Sequence, residues 1–450
     1  MFRSHLCLAL AVVMLSGFAA AQALPLRIVT TVPSGLSETS GLIVTGPNRL
    51  WSHNDGGNAA EIYEFDTTGT LLRTIALTGT TNVDWEDMTQ DAHGNVYVGD
   101  FGNNTNDRTN LVIYKIPHPD SIPGNAVTPG AISYSYPDQF DFPPADSLLN
   151  FDMEAMVAFG DSLYLFSKNR TNPWDGYCRL YRLPQDTGTY VAELIDSFYT
   201  GPGPMTTDWV AGAALSPGGD HLVLVGYPKS WIFSCYQGAD FFGGAHVVRT
   251  YSLRQMEAAA WRDSTHLYFT DERINGVFGG NLYEANMAMF VTPPTADLGP
   301  DTVHIGDTLL LSPGAQSGAT YLWSTGQITS SIAITQSGTY SLTVTGANGC
   351  TATDTIQVTL LTSIDGGALG IRVSAHPNPF HNSIRLTIQG ATSAQVALTD
   401  VLGREWQSTH LESRSTQNLE LEFGANLPAG PYMIKIQTET GSTNLHILKQ

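Results

Sequence analysis

The chain has 450 residues and a formal net charge of −20 at pH 7, and 14% of its residues are charged. The length predicts more than one domain, and the surplus of acidic residues argues against nucleic acid or an anionic membrane as a partner. Frequent glycine, aromatic and hydroxyl residues, with no helical periodicity beyond the N-terminus, predict an all-β protein.

The first 21 residues have the features of a secretory signal peptide. A basic residue, Arg3, precedes an apolar run over 6–15, and small residues end the segment at Ala21. This order is typical of a signal peptide cleaved after Ala21 or Ala23. We therefore expect an exported protein, and no other stretch is apolar and long enough to predict a transmembrane segment.

A short acidic strand recurs along residues 26–292. Four copies carry a glutamate: Glu38, Glu86, Glu154 and Glu257. The interval before the last copy is two repeats long, and a degenerate copy fills it, with Val210 or Ala211 in place of the glutamate. Repeats of roughly 40–50 residues with four strands each are typical of a β-propeller. We predict a propeller with five blades, with six as the alternative.

Two features of this region predict how the ring is completed. The last repeat lacks an outer strand, and residues 26–30 are strand-like. We expect them to pair with the last blade, because this would close the ring and remove an exposed edge. The long, proline-rich connection over 117–150 is predicted to cover a face or a site.

Residues 295–361 contain short strands separated by glycine and serine turns. This pattern predicts a small immunoglobulin-like β-sandwich. It resembles the PKD-like and immunoglobulin-like spacer modules of bacterial surface proteins. Residues 362–370 are predicted to form a linker.

The last segment, 371–450, contains an ordered set of motifs: an Asn-Pro opening, an Asp-x-x-Gly-Arg hairpin, a Leu-Pro-Ala-Gly-x-Tyr strand and a lysine near the C-terminus. Their residues are Pro377, Asn378, Pro379, Asp400, Gly403, Arg404, Gly430, Tyr432 and Lys449. The set resembles the type A C-terminal sorting domain of type IX secretion, a β-sandwich. The resemblance implies passage through the outer membrane by that machinery and removal of the domain by its sortase. Release, or attachment to surface lipopolysaccharide, would follow.

The repeated acidic strand predicts a charged channel, because the first strand of each propeller blade lines the central axis. The residues expected there are Glu38, Glu86, Glu154 and Glu257, with Asp84, Asp152 and Asp208 near the entrance. Two carboxylates about 6 Å apart repel by roughly 3 kcal/mol at an effective dielectric constant near 20. A cation would offset this repulsion, and hard oxygen ligands favour Ca²⁺ or Mg²⁺. The alternative is structural: the glutamates cap backbone amides of the neighbouring blade.

The loops after the second strands are expected on one face, around the channel mouth. They carry Asn54, Asp55, Asp100, Asn103, Asn104, Lys168, Asn169, Arg170, Lys229, Asp271, Glu272 and Arg273. Acids, amides and bases in one concave place predict a polar ligand site, with Lys168 and Lys229 in equivalent loops. Alternatively, asparagine and aspartate are there because turns favour them.

The repeats also resemble calcium-dependent phytase-like and lactonase-like propellers, through the acidic inner strand and the loop that follows it. The fourth repeat departs from that pattern because it lacks the glutamate. Two functions remain open. The propeller is either a recognition module for a small molecule, glycan or protein, or a calcium-dependent hydrolase of phosphoester or lactone bonds.

Three cysteines follow the predicted signal peptide. Cys178 and Cys235 occupy similar places in neighbouring repeats, so they are candidates for a disulfide in an oxidising compartment. Two separate buried thiols are the alternative, and Cys350 is expected to be unpaired.

Overall fold

The structure is a computed structural model that describes residues 22–273, 278–305, 308–361, 371–412, 419–423, 426–439 and 441–450. The predicted signal peptide and the predicted linker lie outside the described residues.

The N-terminal region forms five separate sheets. The chain begins with β1 (Gln22–Ala23) and β2 (Arg27–Thr31). The first repeat contains β3 (Thr39–Gly46), β4 (Arg49–Asn54), β5 (Glu61–Phe65) and β6 (Leu71–Leu77). The second contains β7 (Trp85–Gln90), β8 (Val96–Asp100), β9 (Val112–Ile116), β10 (Ala126–Val127) and β11 (Gly130–Ser135).

The remaining repeats follow the same plan. The third contains β12 (Met153–Phe159), β13 (Ser162–Ser167), β14 (Tyr177–Pro184), β15 (Gly188–Val191) and β16 (Glu193–Tyr199). The fourth contains β17 (Gly212–Leu215), β18 (His221–Val225), β19 (Lys229–Ser234) and β20 (Ala245–Thr250). The fifth contains β21 (Met256–Trp261), β22 (His266–Asp271) and β23 (Asn281–Asn286).

These sheets are the blades of a five-bladed β-propeller, which confirms the predicted fold class. The inner strands β3, β7, β12, β17 and β21 each contact the next, and β21 contacts β3, so the ring is closed. β2 pairs antiparallel with β23 as the outer strand of the fifth blade, with Arg27 opposite Glu284. The predicted closure by the N-terminal strand is therefore confirmed.

Three short strands each pair with the outer edge of one blade, while the chain next to them forms a different blade. β10 pairs in parallel with β6 of the first blade, β15 with β11 of the second, and β1 with β20 of the fourth. Part of the long 117–150 connection therefore widens the first blade at its outer edge through β10. The same connection supplies the fourth strand of its own blade, β11.

A hydrophobic layer lies between each pair of neighbouring blades, because strand side chains alternate between the two faces of a sheet. On β8, Val96 and Val98 pack against the first blade, whereas Tyr97 packs against the third. The first and fifth blades share a layer that includes Leu50 and Tyr268. Because both faces of every sheet are covered, the inner ends of the blades are held in fixed positions around the channel.

The rest of the chain forms two further sets of paired sheets, each with its own core. The first set contains β24 (Thr302–Ile305), β25 (Leu309–Leu311), β26 (Thr320–Trp323), β27 (Ile332–Ile334), β28 (Gly338–Thr345) and β29 (Thr351–Leu361). The second contains β30 (Arg372–His376), β31 (Ile384–Gln389), β32 (Ser393–Asp400), β33 (Glu405–Glu412), β34 (Leu419–Phe423), β35 (Gly430–Thr438) and β36 (Gly441–Lys449). The immunoglobulin-like character of the first set stays a prediction.

The helices among the described residues are short. They are α1 (Met205–Asp208), α2 (Ala288–Val291) and three 3₁₀ turns, Pro119–Ser121, Asp146–Leu148 and Phe241–Gly243. Within the part of the chain that the structure describes, no helix has the length and apolarity needed to span a bilayer.

The cysteine pairing differs from both alternatives that the sequence left open. Cys235 forms a disulfide with Cys350, whereas Cys178 is a buried free thiol. The turn Gly346–Cys350 belongs to the same compact unit as the propeller, although the strands on either side of it do not. Repeat similarity was therefore misleading, because the partner of Cys235 comes from a turn 115 residues later.

Candidate functional site

The glutamates of three blades lie at the same structural position, a β-bulge near the start of the inner strand. Between the first two strands of each blade, the register shifts at Glu86, Glu154 and Glu257. A bulge adds one residue opposite a single partner and re-aims the side chain. All three side chains are buried, at the end of the channel where the inner strands begin.

The first blade corrects the predicted set. Its corresponding bulge residue is Gly41, and Glu38 precedes β3, so Glu38 is not equivalent to the other three glutamates. Its carboxylate accepts a hydrogen bond from Asn58 at 2.7 Å. In the fourth blade, β17 starts only at Gly212, and Ala211 precedes it.

An acidic cluster forms where the first and second blades meet. Carboxylate oxygens of Asp55, Asp84 and Glu86 lie within 4.8 Å of one another. Two glycines border it: a Cβ on Gly56 would run into the Asp84 carboxylate, and a Cβ on Gly102 would lie 2.6 Å from Oδ2 of Asp84 and against Glu86. The backbone therefore comes close to these carboxylates at positions where a side chain would not fit.

Glu86 is the least compensated member of this acidic cluster. Glu86 is only 5% exposed. Its carboxylate makes no hydrogen bond or ion pair with any residue that the structure describes. Burial, together with Glu154 and Asp55, raises the pKa of Glu86 well above its usual range. Burial and the nearby Asp55 carboxylate raise the pKa of Asp84 to about 6. Burial therefore disfavours the negative charge of Glu86, and Lys168 offsets it without forming an ion pair with it.

Two basic side chains of the third blade are already paired at the channel mouth. Lys168 Nζ lies 2.9 Å from Glu154, and Arg170 Nε lies 2.7 Å from Asp152. Burial raises the pKa of Glu154 to about 8 despite the opposing effect of Lys168.

A third paired cation lies in the fourth blade, where Lys229 forms an ion pair with Asp208. The predicted equivalence of Lys168 and Lys229 is wrong. Lys168 directly follows β13, whereas Lys229 is the first residue of β19.

A third group of side chains lies on the fifth blade and its neighbour. Tyr227 donates a hydrogen bond to Glu257 at 2.8 Å, and Gln255 donates one to Glu272. Burial and the carboxylate of Glu257 raise the pKa of Glu272 to about 9. Lys168 lies over the ring of Trp209 at 4.8 Å, so aromatic rings border this side of the mouth.

Most amides and several acids of the predicted mouth set stabilise loops instead. Asn54 accepts a hydrogen bond from the Glu38 backbone at 3.1 Å, and Asn103 accepts one from the Arg108 backbone at 3.0 Å. Asp271 accepts hydrogen bonds from the Asn281 backbone and from Tyr283.

Four more members of the mouth set make contacts within or between the loops. Asp100 pairs with Arg108 at 2.8 Å, Asn169 accepts hydrogen bonds from Thr171, and Asn104 accepts one from Arg170. The backbone N–H of Arg273 donates to Ser37. These contacts agree with the alternative that such residues are present because they stabilise turns and loops.

Asp87 makes inter-blade contacts that the sequence reasoning assigned to the glutamates. Its carboxylate accepts hydrogen bonds from the backbone N–H of Met88 at 2.8 Å and of Met156, in the next blade, at 2.7 Å. Similarly, Ser40 of the first blade bonds to the backbone carbonyl of Glu86. The second acidic residue in Trp85-Glu86-Asp87 was the signal that could have indicated this role.

Two cavities lie at the opposite end of the inner strands. Their volumes are about 380 and 250 Å³, and Thr89, Gln90 and Leu215 line both. The lining is mainly apolar or neutral. Asp91 in the larger cavity is held by hydrogen bonds from Asn95 and Tyr97. The two ends of the channel therefore differ in polarity, and the charged side chains lie at the glutamate end.

The motif residues of the C-terminal segment hold its fold together. Asn378 accepts a hydrogen bond from the Leu448 backbone at 2.9 Å and donates one to His446, which ties the Asn-Pro opening to the last strand. Lys449 is 8% exposed and lies over the ring of Phe380 at 5.1 Å. Tyr432 donates a hydrogen bond to the carbonyl of Pro428.

The Asp-x-x-Gly-Arg motif is a rigid hairpin turn. Asp400 accepts hydrogen bonds from the backbone of Leu402 and Arg404 and from the indole of Trp406. Gly403 has a φ of +79°, a conformation that favours glycine. The turn leaves Leu402 90% exposed.

Comparison with known proteins identifies one segment. Residues 374–450 match the family described as the secretion system C-terminal sorting domain, which confirms the resemblance found in the sequence. No curated protein matches the chain.

Solved structures with similar folds are distant. The surface protein PorZ of the type IX secretion system of Porphyromonas gingivalis is 13% identical with a TM-score of 0.28. The match covers 92% of this chain and 45% of PorZ. A putative gluconolactonase is 12% identical over 60% of this chain and 92% of its own, with a TM-score of 0.32. A protein from Lactobacillus plantarum is 11% identical over 86% and 88%, with a TM-score of 0.28. None of these likenesses is close enough to indicate a function.

Proposed function

We propose that this chain, which its C-terminal sorting domain directs through type IX secretion to the cell surface or the exterior, is a recognition protein. Its propeller would bind a ligand at the acidic end of the channel, with a calcium ion held by Asp55, Asp84 and Glu86. The observation that carries this proposal is the buried, unpartnered carboxylate of Glu86 within a cluster of three carboxylates. Sortase cleavage and attachment to surface lipopolysaccharide belong to the same proposal.

The donor set fits a hard divalent cation. Asp55, Asp84 and Glu86 offer only carboxylate oxygens, which are the ligands that Ca²⁺ and Mg²⁺ prefer. Ca²⁺ takes about 6–8 oxygen ligands, so three carboxylates leave positions for water or for oxygens of a ligand. A cation here would also offset the burial and mutual repulsion that raise the pKa values of these groups.

The proposed cation site uses fewer carboxylates than the acidic channel expected from the sequence. Glu154, Asp152 and Asp208 each face a cationic side chain, so they are compensated without a metal. Glu257 has a hydrogen bond from Tyr227. These residues would shape the ligand site rather than hold the cation.

One observation favours the second candidate, a calcium-dependent hydrolase. Burial raises the pKa of Glu154 to about 8, and a general acid or base acts best when its pKa is near the working pH. However, Glu154 is held by Lys168 and Arg170. A panel of phosphoester and lactone substrates, with and without chelator, separates the candidates: calcium-dependent turnover that Glu154→Gln abolishes would favour the hydrolase.

The cation site is tested by thermal unfolding of the chain without its predicted signal peptide, in chelator and at increasing concentrations of CaCl₂. Binding to the folded state alone stabilises it by roughly 2.7 kcal/mol at a concentration of 100 times the dissociation constant, so the melting temperature should rise with calcium. Glu86→Gln and Asp84→Asn should abolish this rise, because each removes a charged ligand and keeps its shape. The control is Glu193→Gln, which removes a carboxylate 58% exposed on an outer strand. A melting temperature that calcium does not change would refute the cation site.

A further inference from the structure

We propose that the ligand of the acidic channel mouth is a neutral, polyhydroxylated molecule, such as the terminal sugar of a glycan, whose hydroxyl oxygens complete the coordination of the calcium ion. This inference rests on the proposed function, and it adds the chemical class of the ligand.

The excess of unpaired carboxylates at the mouth disfavours anionic ligands. Lys168, Arg170 and Lys229 each already pair with a carboxylate, which leaves Arg273 as the cation of the mouth set without an ion pair among the described residues. In contrast, no cationic side chain in the described ranges forms an ion pair with Asp55, Asp84, Glu86, Glu257 or Glu272. The three carboxylates of the acidic cluster exceed the charge of one divalent cation, so the occupied cluster keeps a net negative charge and disfavours a phosphate or carboxylate. A ligand that binds the cation must therefore contribute neutral oxygens.

Coordination chemistry then narrows the neutral ligand. Ca²⁺ accepts neutral oxygens such as those of carbonyls and water, and adjacent hydroxyl groups of a sugar present two such oxygens at once. The buried position of Glu86 and the close backbone of Gly102 keep the acidic side of the site fixed. Two fixed coordination positions on the calcium ion favour a rigid ligand that supplies both oxygens, because such a ligand loses little conformational entropy on binding.

The surroundings suit a sugar at the end of a polymer. Trp209 and Tyr227 form an edge-to-face pair with ring centroids 5.2 Å apart on the opposite side of the mouth. Apolar side chains on the surrounding loops are exposed, with Leu253 at 71% and Phe278 at 73%. Aromatic and apolar surfaces contact the C–H faces of sugars while the hydroxyl groups reach polar partners.

The test uses saturation-transfer NMR on the mature chain, with neutral methyl glycosides and oligosaccharides as probes. Their 6-phosphate and uronic acid counterparts are the anionic comparison. We expect a neutral sugar to bind in calcium, binding to be lost in chelator and in Glu86→Gln, and binding to persist in Glu193→Gln. The anionic counterparts should bind more weakly.

The outcomes separate this inference from the function on which it rests. A calcium-dependent rise in melting temperature without binding of any neutral sugar would overturn the ligand class and leave the cation site standing. Tighter binding of the phosphorylated sugars would also overturn it, because it would show positive charge at the mouth. If calcium has no effect on the melting temperature, the proposed function fails first.

Discussion

Glutamates at one structural position have different environments in this protein. Glu86, Glu154 and Glu257 all lie at the bulge of an inner strand. Glu154 is paired with Lys168, Glu257 receives a hydrogen bond from Tyr227, and Glu86 has neither kind of partner among the described residues. The neighbouring loop therefore decides the chemistry of each copy, and the acidic cluster with Asp55 and Asp84 is confined to two blades.

Gly102→Ala should abolish the stabilisation by calcium. The new Cβ would lie against the carboxylates of Glu86 and Asp84, so both groups must move and the acidic cluster would open. The matched control is Gly35→Ala, because a Cβ at Gly35 meets nothing within 4 Å. Calcium titration followed by thermal unfolding tests this, and an unchanged response in Gly102→Ala would contradict the proposed position of the cation.

In the presence of chelator, the free energy of unfolding should fall as the pH rises, and Glu272 should contribute to this fall. Its pKa is raised from 4.5 to about 9 by burial and Glu257. A carboxyl group with a raised folded-state pKa stabilises the fold fully below its unfolded pKa, and that contribution is lost as the pH rises towards 9.

Glu272→Gln should therefore flatten the decline in melting temperature between pH 5 and 8, measured in chelator. In Glu193→Gln, the melting temperature should fall with pH at the same slope as in the parent protein, because the Glu193 carboxylate is largely exposed. If Glu272→Gln shows the same slope as the parent, burial does not hold this carboxyl protonated.

At the scale of elements, the propeller is closed by a strand from the opposite end of its sequence. β2 covers the edge of β23, and Leu24, just before it, is 3% exposed within the layer between the fourth and fifth blades. The N-terminal residues thus complete one sheet and one core layer. Without them, the fifth blade would have three strands and an open edge.

Removing residues 22–31 should lower the melting temperature by on the order of 10 °C, since a loss of several kcal/mol shifts the midpoint of a domain of this size by about 2–4 °C per kcal/mol. A synthetic peptide of residues 22–31, added to the truncated chain, should restore part of the loss. A scrambled peptide of the same composition is the control. An unchanged melting temperature after truncation would show that β2 is dispensable for closure.

At the scale of the whole molecule, the sorting domain and the proposed recognition site lie in separate segments. The sorting domain over 374–450 has its own hydrophobic core, and the buried residues of the layers between the blades come from the propeller. The two activities should therefore be separable by truncation.

A chain that ends at Gly370 should fold and keep its calcium response but fail to reach the cell surface or the medium. Fractionation of the producing cells measures the location, and calcium-dependent unfolding of the purified truncated chain controls for folding. Normal surface delivery without residues 371–450 would contradict the sorting role.

The sequence by itself determined the features that depend on local patterns. Blade-length repeats with a recurring acidic segment predicted five blades. The strand-like residues near the N-terminus predicted closure, because each blade must cover its apolar faces and its edges. The ordered motifs of residues 371–450 indicated the sorting domain. In the structure these motifs make short-range turns and contacts with the last strand, such as those of Asp400 and Asn378, so their spacing along the chain is constrained.

Only the tertiary structure decided which side chains meet. The register at each bulge separated Glu38 from the other glutamates, because a shift within a strand changes the position of every side chain. Asp55 joined Asp84 and Glu86 because two blades pack side by side, and Lys168 reached Glu154 across a hairpin. The disulfide from Cys235 to Cys350 likewise depends on a contact between distant parts of the chain. Electrostatics at the channel mouth acts through space over a few ångströms, and sequence spacing does not record those distances.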